Sequence, residues 1–179
     1  MQVLLAKAQI LRIQPLVWRQ LIVGADLSLE ELHEVLQAAF EWDEEHAHIF
    51  CSGEQFYGAP GAGSDIGAHL TDEREVALES FADDELIYRY AAREGWEVKL
   101  VFSQPLSLPG FPGSPYCIDG ARAAPPEGAG GLSGYEKLVR VTQTPDDPEA
   151  TELLEWLDGW DPETVDLDAI NEDLSELFA

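Results

Sequence analysis

In Ser28-Leu29-Glu30-Glu31-Leu32-His33-Glu34-Val35-Leu36-Gln37-Ala38-Ala39-Phe40 a serine stands three residues ahead of a glutamate. Such a pair can exchange hydrogen bonds across the first turn of a helix, and Leu27 with Leu32 occupies the positions of a hydrophobic staple at the same entrance. Leu29, Leu32, Val35, Leu36, Ala39 and Phe40 recur at helical spacing, which predicts one apolar face packed on a sheet. Glu30, His33, Glu34, Gln37 and Glu41 fall on the other face and are expected to meet water.

Upstream of this helix, residues 3–13 and 17–23 are apolar and rich in β-branched side chains, and Gln14-Pro15 between them marks a bend, so they read as a hairpin. Residues 47–51 and 55–57 around Ser52-Gly53-Glu54 read as a second hairpin, and 86–91 with 96–102 around Arg93-Glu94-Gly95 as a third. The fold class is therefore α+β: an antiparallel or mixed sheet of about six strands, one capped helix packed on it, and a C-terminal set of acidic helices.

Residues 58–67 form a Gly, Ala and Pro loop. Segment 105–134 holds six of the 11 prolines and seven of the 15 glycines, so an ordered irregular loop over the sheet is expected there. Beyond it, Ser133 with Glu136 suggests a second capping box, Asp147-Pro148-Glu149 a further helix start closed by Gly159, and Asp166 a cap for the last helix. Leu153, Leu154, Trp156, Leu157, Ile170, Leu174 and Leu177 are expected to dock this tail, with Trp156 as the main anchor. The whole chain, 1–179, reads as one domain: a core over 1–104, the loop 105–134 and an acidic helical tail over 135–179.

The 179 residues carry 10 Lys and Arg against 35 Asp and Glu, a formal net charge of -25. Thirteen acidic residues and no Lys or Arg lie in 141–179. Nucleic-acid backbones are bound chiefly through cationic side chains, so direct backbone binding is not expected, and the same field opposes anionic membrane surfaces. A protein partner is the expectation, and no pattern fixes an oligomeric state. Cys51 and Cys117 belong to no CxxC pair, and the opening residues show no basic region ahead of a long apolar run, so a reduced, cytoplasmic setting is expected.

His46 and His48 are the sharpest pair for chemistry, because residues two apart on a strand point to one face and two imidazoles can share a cation. A third ligand would have to come from Asp43, Glu44, Glu45, His69 or Cys117. His33-Glu34 opens like the zinc-protease helix, but Gln37 stands where the second histidine is needed. Gly61 to Gly67 has the third glycine one residue late for a dinucleotide loop, and no nucleophile elbow or phosphate loop is present. Cys117, with Arg122 nearby in sequence, reads first as a buried, inert thiol. No cofactor is implied.

Pro15-Leu16-Val17-Trp18-Arg19, the stretch from Leu32 to Trp42, His46-Ala47-His48-Ile49-Phe50, Cys117-Ile118-Asp119-Gly120-Ala121-Arg122, Pro125-Pro126-Glu127, Gly130-Gly131 and Gly134-Tyr135 form an ordered series. In it the chain resembles the plasmid pRiA4b open-reading-frame-three family over nearly its whole length. The resemblance implies an α+β domain associated with plasmids and mobile elements, often labelled a resolvase-like passenger, and no established activity. A resolvase needs a nucleophilic serine among arginines and a basic DNA-binding surface, neither of which is marked here. The family commonly places two more cysteines beside Pro-Pro-Glu; here those positions are Ala124 and Ala129. Its acidic turn before the tryptophan reads Tyr90-Ala91-Ala92-Arg93-Glu94-Gly95-Trp96, with the acids and a following histidine lost.

These readings favour a non-enzymatic protein or peptide interaction module, with a groove formed by Trp42, His46, His48, Trp96, Cys117, Arg122 and Tyr135. The alternative is a metal-binding regulator or metal-dependent hydrolase; no metal is expected, and His46 and His48 would hold one if any did. A third class is an acidic surface that imitates nucleic acid and occupies a basic protein.

Overall fold

Strand β1 (Gln2–Ile10) and strand β2 (Trp18–Gly24) pair antiparallel, from Val3 opposite Gly24 to Gln9 opposite Trp18. In β1 the side chains of Leu4, Ala6, Ala8 and Ile10 are fully buried, whereas Leu5, Lys7 and Gln9, which alternate with them, keep solvent contact. The computed structural model that establishes this describes residues 1–43, 46–62 and 69–179. Residues 63–67 of the loop expected over 58–67, and Glu44 and Glu45, lie outside the described residues.

Helix α1 (Leu29–Phe40) begins at the expected capping box: the Ser28 hydroxyl accepts from Glu31 N at 3.2 Å, and Glu31 Oε2 accepts from Ser28 N at 2.7 Å. Its apolar stripe belongs to the same core as Leu4, Ala6, Ala8 and Ile10, so α1 lies on that side of the sheet, the inner side.

The hairpins β3 (His48–Ser52) with β4 (Gln55–Gly58), and β6 (Glu85–Tyr90) with β7 (Trp96–Phe102), stand where the alternation placed them. Three further strands enlarge the sheet beyond the expected six: β5 (Leu70–Asp72), β8 (Leu106–Ser107) and β9 (Tyr116–Ala121). Among the described residues nine strands form one sheet in the order β5-β4-β3-β6-β7-β1-β2-β9, with β8 paired to the start of β1. Among the described strands only β4 and β5 pair in parallel.

Two of the three added strands lie inside the Pro and Gly segment expected to be irregular. The prolines fall outside them, so no ladder donor is missing. Gly120 within β9 is a close-approach site, since a Cβ there would sit 2.9 Å from the Trp18 carbonyl oxygen and 3.0 Å from Arg19 Cδ. Helix α2 (Gly131–Gln143) starts two residues before Ser133, from Gly130 in the left-handed region with no side-chain cap, so the box expected at Ser133 and Glu136 is not formed. A Cβ on Gly134 would lie 1.7 Å from the Ala129 carbonyl oxygen, a clash only glycine avoids.

A 3-10 turn at Pro148–Ala150 leads into α3 (Thr151–Leu157), and Asp166 caps α4 (Leu167–Leu177) by accepting from Ala169 N. Ile170 and Leu174 of α4 are fully buried, and α4 packs on both β9 and α1. Trp156, expected as the main anchor, is 50% exposed. A two-turn helix turns few positions inward, and in α3 Leu157 is the buried one. Asn171 of α4 accepts from Cys117 N at 2.7 Å and donates to Cys117 O at 2.9 Å, so one amide side chain pairs with the outer edge of β9 as a neighbouring strand would.

Arg19 of β2 is fully buried, and among the described residues no carboxylate pairs with its guanidinium. Its Nε donates to Ala39 O at 2.8 Å, in the last turn of α1, and its Nη1 donates to Trp18 O, Ala121 O and Arg122 O at 2.9, 3.2 and 2.9 Å. The group also sits 5.3 Å from the centre of the Phe40 ring. Burial lowers its pKa, with Cys117 and Glu41 opposing that shift.

Arg19→Lys keeps the charge but not the planar fork of donors, and should cost more than about 3 kcal/mol of unfolding free energy. Trp156→Ala should cost about 1 kcal/mol or less, as a half-exposed side chain. Urea denaturation of the two variants beside the parent measures both.

Candidate functional site

Strand pairing separates the candidate residues. His48 stands opposite Tyr90, and Tyr90 opposite Trp96, so these three side chains share one face. Ile49 stands opposite Arg89, and Arg89 opposite Glu97, on the other face. Contacts of His48 and Tyr90 with His33 of α1 identify the first set as inner.

On the inner side the imidazoles of His33 and His48 stack in near-parallel planes, 9° apart, with centroids 3.6 Å apart. His48 Nε2 donates to Glu73 Oε2 at 2.8 Å, and Glu73 is almost wholly buried. Gln37 Nε2 donates to the Tyr88 hydroxyl oxygen at 2.8 Å, which leaves the hydroxyl proton free to reach His33 Nδ1, also at 2.8 Å. His33 is therefore held as a neutral ring. Burial, and secondarily His48, lowers its pKa to about 3.

His33 and Gln37 were expected on the water-facing side of α1. Instead Gln37 is 2% exposed, because the polar groups of Tyr88 and His48 stand opposite on the sheet and satisfy it and His33 in the interface. Burial likewise raises the Tyr88 pKa well above the usual tyrosine value.

A second group gathers on Tyr90. Trp42 stacks on it at 4.9 Å and donates from Nε1 to Pro125 O, and His46 meets it edge-on at 5.8 Å. The Tyr90 hydroxyl donates to Glu127 Oε1 at 2.7 Å, while Glu127 Oε2 lies 3.4 Å from His46 Nε2. Burial pushes the Glu127 carboxyl up, against the Tyr90 hydrogen bond. His46 and His48 thus address different carboxylates, Glu127 and Glu73. β3 begins only at His48, so the strand alternation expected to align the pair does not reach His46. Among the described residues no group of three or more His, Cys, Asp and Glu is placed to hold a metal ion.

The remaining candidates lie elsewhere. Trp96 meets Tyr135 edge-on at 6.5 Å, and Tyr135 meets Trp160 at 6.1 Å. Cys117 is buried on β9, and its thiol pKa is raised by burial. Arg122, also buried, donates to Glu163 Oε1 at 2.7 Å and to Pro15 O at 3.1 Å. Trp42, His46 and His48 are brought together around Tyr90, Trp96 joins them to Tyr135, and Cys117 and Arg122 sit at the β2–β9 side. Sequence reasoning missed Glu73, Tyr88 and Tyr90. In a chain this acidic nothing singled out Glu73, and Tyr88 and Tyr90 read as ordinary strand residues.

The outer face carries a concavity. A cavity of about 560 Å³ opens among Arg12, Ala47, Ile49, Ala62, Arg89, Ala92 and Glu97, and its lining also includes His48, Tyr90, Gly95 and Trp96. Because His48, Tyr90 and Trp96 turn inward, their backbone forms its floor. Arg89 Nε donates to Glu97 Oε2 at 3.2 Å, Arg12 Nη2 donates to Gly95 O at 2.7 Å, and Arg12 Nη2 stands 3.7 Å from Glu97 Oε1. Leu5, Trp18, Ile22 and Ile87 on the same face are half-buried, and Val101 is exposed. Lys7 lies over the Trp18 ring at 5.2 Å, and Lys99 pairs with Glu85 at 2.7 Å.

Residues 2–169 match the family model for plasmid pRiA4b ORF-3-like proteins. The chain belongs to this family. An uncharacterised protein, y4hQ of Sinorhizobium fredii, is 28% identical over 173 residues, covering 93% of this chain and 88% of the relative. The crystal structure of a protein of unknown function, MM3350 of Methanosarcina mazei, aligns with a TM-score of 0.85 at 30% identity, over 94% of this chain and 96% of that one. The family is thus one of uncharacterised proteins, and function must be argued from the site. No helix among the described residues is long and apolar enough to cross a membrane.

For the inner cluster the pH dependence has a definite sign. The unfolded chain takes up a proton on His33 near pH 6.5 that the folded chain refuses down to about pH 3, so this contribution to stability is full above about 6.5 and is lost as pH falls through that window. His33→Asn, which keeps an acceptor for Tyr88, should flatten the fall in urea midpoint over the same window. The His33 ring resonances of the folded parent should not titrate above about pH 4.

Proposed function

We propose that this chain is a non-enzymatic binding module that takes a segment of a partner protein on the outer face of its sheet, with the cavity at Ile49, Arg89 and Glu97 as anchor. The observation that carries the reading is the cavity itself: about 560 Å³, with aliphatic walls and two guanidiniums, on a face whose apolar side chains are only partly covered. That volume is in the range of pockets that enclose a ligand group, and a few convergent polar groups on apolar walls are the usual recognition pattern. The sheet keeps the imidazole rings on its other side, and the carboxylate in the cavity lining, Glu97, is engaged by Arg89 and Arg12.

The second reading, a metal-binding regulator or metal-dependent hydrolase on His46 and His48, has less support because each imidazole already holds its own carboxylate.

A random dodecapeptide display library selected against the parent protein tests the proposal. Enriched peptides should shift the amide resonances of Ile49, Arg89, Glu97 and the 91–95 turn. Ala92→Trp, at an exposed rim position, should weaken them at least about tenfold at an unchanged melting temperature, since it fills the cavity. Peptides that map to another surface and ignore Ala92→Trp would overturn it.

A further inference from the structure

The cavity's charge points to what it binds. Arg12 and Arg89 both reach towards Glu97, one at 3.7 Å and one at 3.2 Å, and both side chains are about half exposed, at 56% and 50%. One carboxylate between two guanidiniums leaves donors without an anion, and neither contact is the two-bonded fork in which Arg and carboxylate match best. Cations are scarce here, with 10 Lys and Arg against 35 acids, yet four of them, Lys7, Arg12, Arg89 and Lys99, stand on or beside this face. Glu85 and Glu97 accompany them on the central strands, and Asp119 and Asp72 stand at the two ends of the face, so the positive excess is local to the cavity, where Arg12 and Arg89 share Glu97 on a chain of net charge -25.

Screening decides which charge a ligand feels. At physiological ionic strength the Debye length is about 8 Å, so a group seated in the cavity responds to Arg12 and Arg89 and not to distant acidic helices. The walls next to the guanidiniums, Ala47, Ile49, Ala62 and Ala92, are aliphatic and call for an apolar side chain beside the anion.

Building on the binding reading, we propose that the cavity recognises an acidic segment of a partner protein: an Asp or Glu side chain displaces Glu97 from Arg12 and Arg89, and a neighbouring apolar side chain fills the pocket. A carboxylate suits the site better than a phosphate, because its single charge is opposed less by Glu97 and its planar pair of oxygens matches one guanidinium. The carboxylate stays ionised and no covalent step is involved.

The test uses labelled hexapeptides of Leu and Ala carrying one Glu at each position in turn, with matched Gln and phosphoserine versions, in fluorescence anisotropy with the full chain. The best Glu peptide should bind about tenfold tighter than its Gln partner, the size of a charge-assisted contact. Arg89→Gln and Arg12→Gln should each erode that preference and together abolish it, while Glu97→Gln should tighten the Glu peptide severalfold. All three positions are solvent-accessible, and melting temperatures should stay unchanged. Equal binding of Glu and Gln peptides that Ala92→Trp still blocks would overturn the carboxylate and leave the binding module standing. A Glu preference surviving the double arginine variant, or tighter binding of phosphoserine than of Glu, would also overturn it. Failure of every peptide, with no response to Ala92→Trp, would sink the binding module and this inference together.

Discussion

Burying the guanidinium of Arg19 is the constraint around which the other elements are arranged. A cation taken from water without a counter-ion is costly unless dipoles replace its hydration. Here they are backbone carbonyls from three places at once: the last turn of α1, β2 itself, and the end of β9. The C-terminal end of a helix carries partial negative charge, so Ala39 O is a fitting acceptor. Each carbonyl has to be in place for the others to be worth their cost, which ties helix, hairpin and late strand into one cooperative unit. Gly120 follows from the same demand, since a side chain there would occupy the space of the Arg19 stem and the Trp18 carbonyl.

With α1 held in this way, the sheet acts as a partition. On the inner face burial penalises unpaired polar groups, and His33, Gln37, Tyr88, His48 and Glu73 pair among themselves through short hydrogen bonds and a ring stack. The outer face is free of that demand, so its arginines remain partly solvated and only loosely held. Polar groups that saturate one another hold the architecture, whereas polar groups with spare donors keep their contact with water. This contrast, more than residue type, separates the imidazoles from the guanidiniums.

Much of the architecture was legible in the sequence, and what was missed shares a cause. The three hairpins and the Ser28–Glu31 cap rest on contacts between near neighbours, whose signature is local. Strands β8 and β9 are defined by partners far along the chain, β5 is a three-residue parallel addition to β4, and β9 lies in a stretch whose Pro and Gly content argues against regular structure. Helical periodicity put His33 and Gln37 outside, which is correct for angle on the helix but silent about the tyrosine and histidine that the sheet sets opposite them. Trp156 has the size of an anchor, yet in so short a helix Leu157 fills the inward position. At the site, Trp42 stacks on Tyr90, His46 meets it edge-on and His48 stands opposite it in the strand register, yet nothing in the sequence singles out Tyr90. The outer cavity was invisible because Arg12, Arg89 and Glu97 meet only through the register of β3, β6, β7 and the β1–β2 turn.

The pairing of Asn171 with Cys117 has a consequence for how this protein would fail. β9 is the last strand of the sheet, and such a strand offers unpaired amides on which a foreign strand can grow. One side chain of α4 occupies those groups at Cys117, and the same helix carries the carboxylates of Asp168, Glu172, Asp173 and Glu176. Cleavage or misfolding that removed α4 would strip away the plug and these charges in one event, leaving a bare rim flanked by the exposed Tyr116 and Ile118. The damaged chain would then tend to recruit others edge to edge, so the last helix is also a guard against polymerisation.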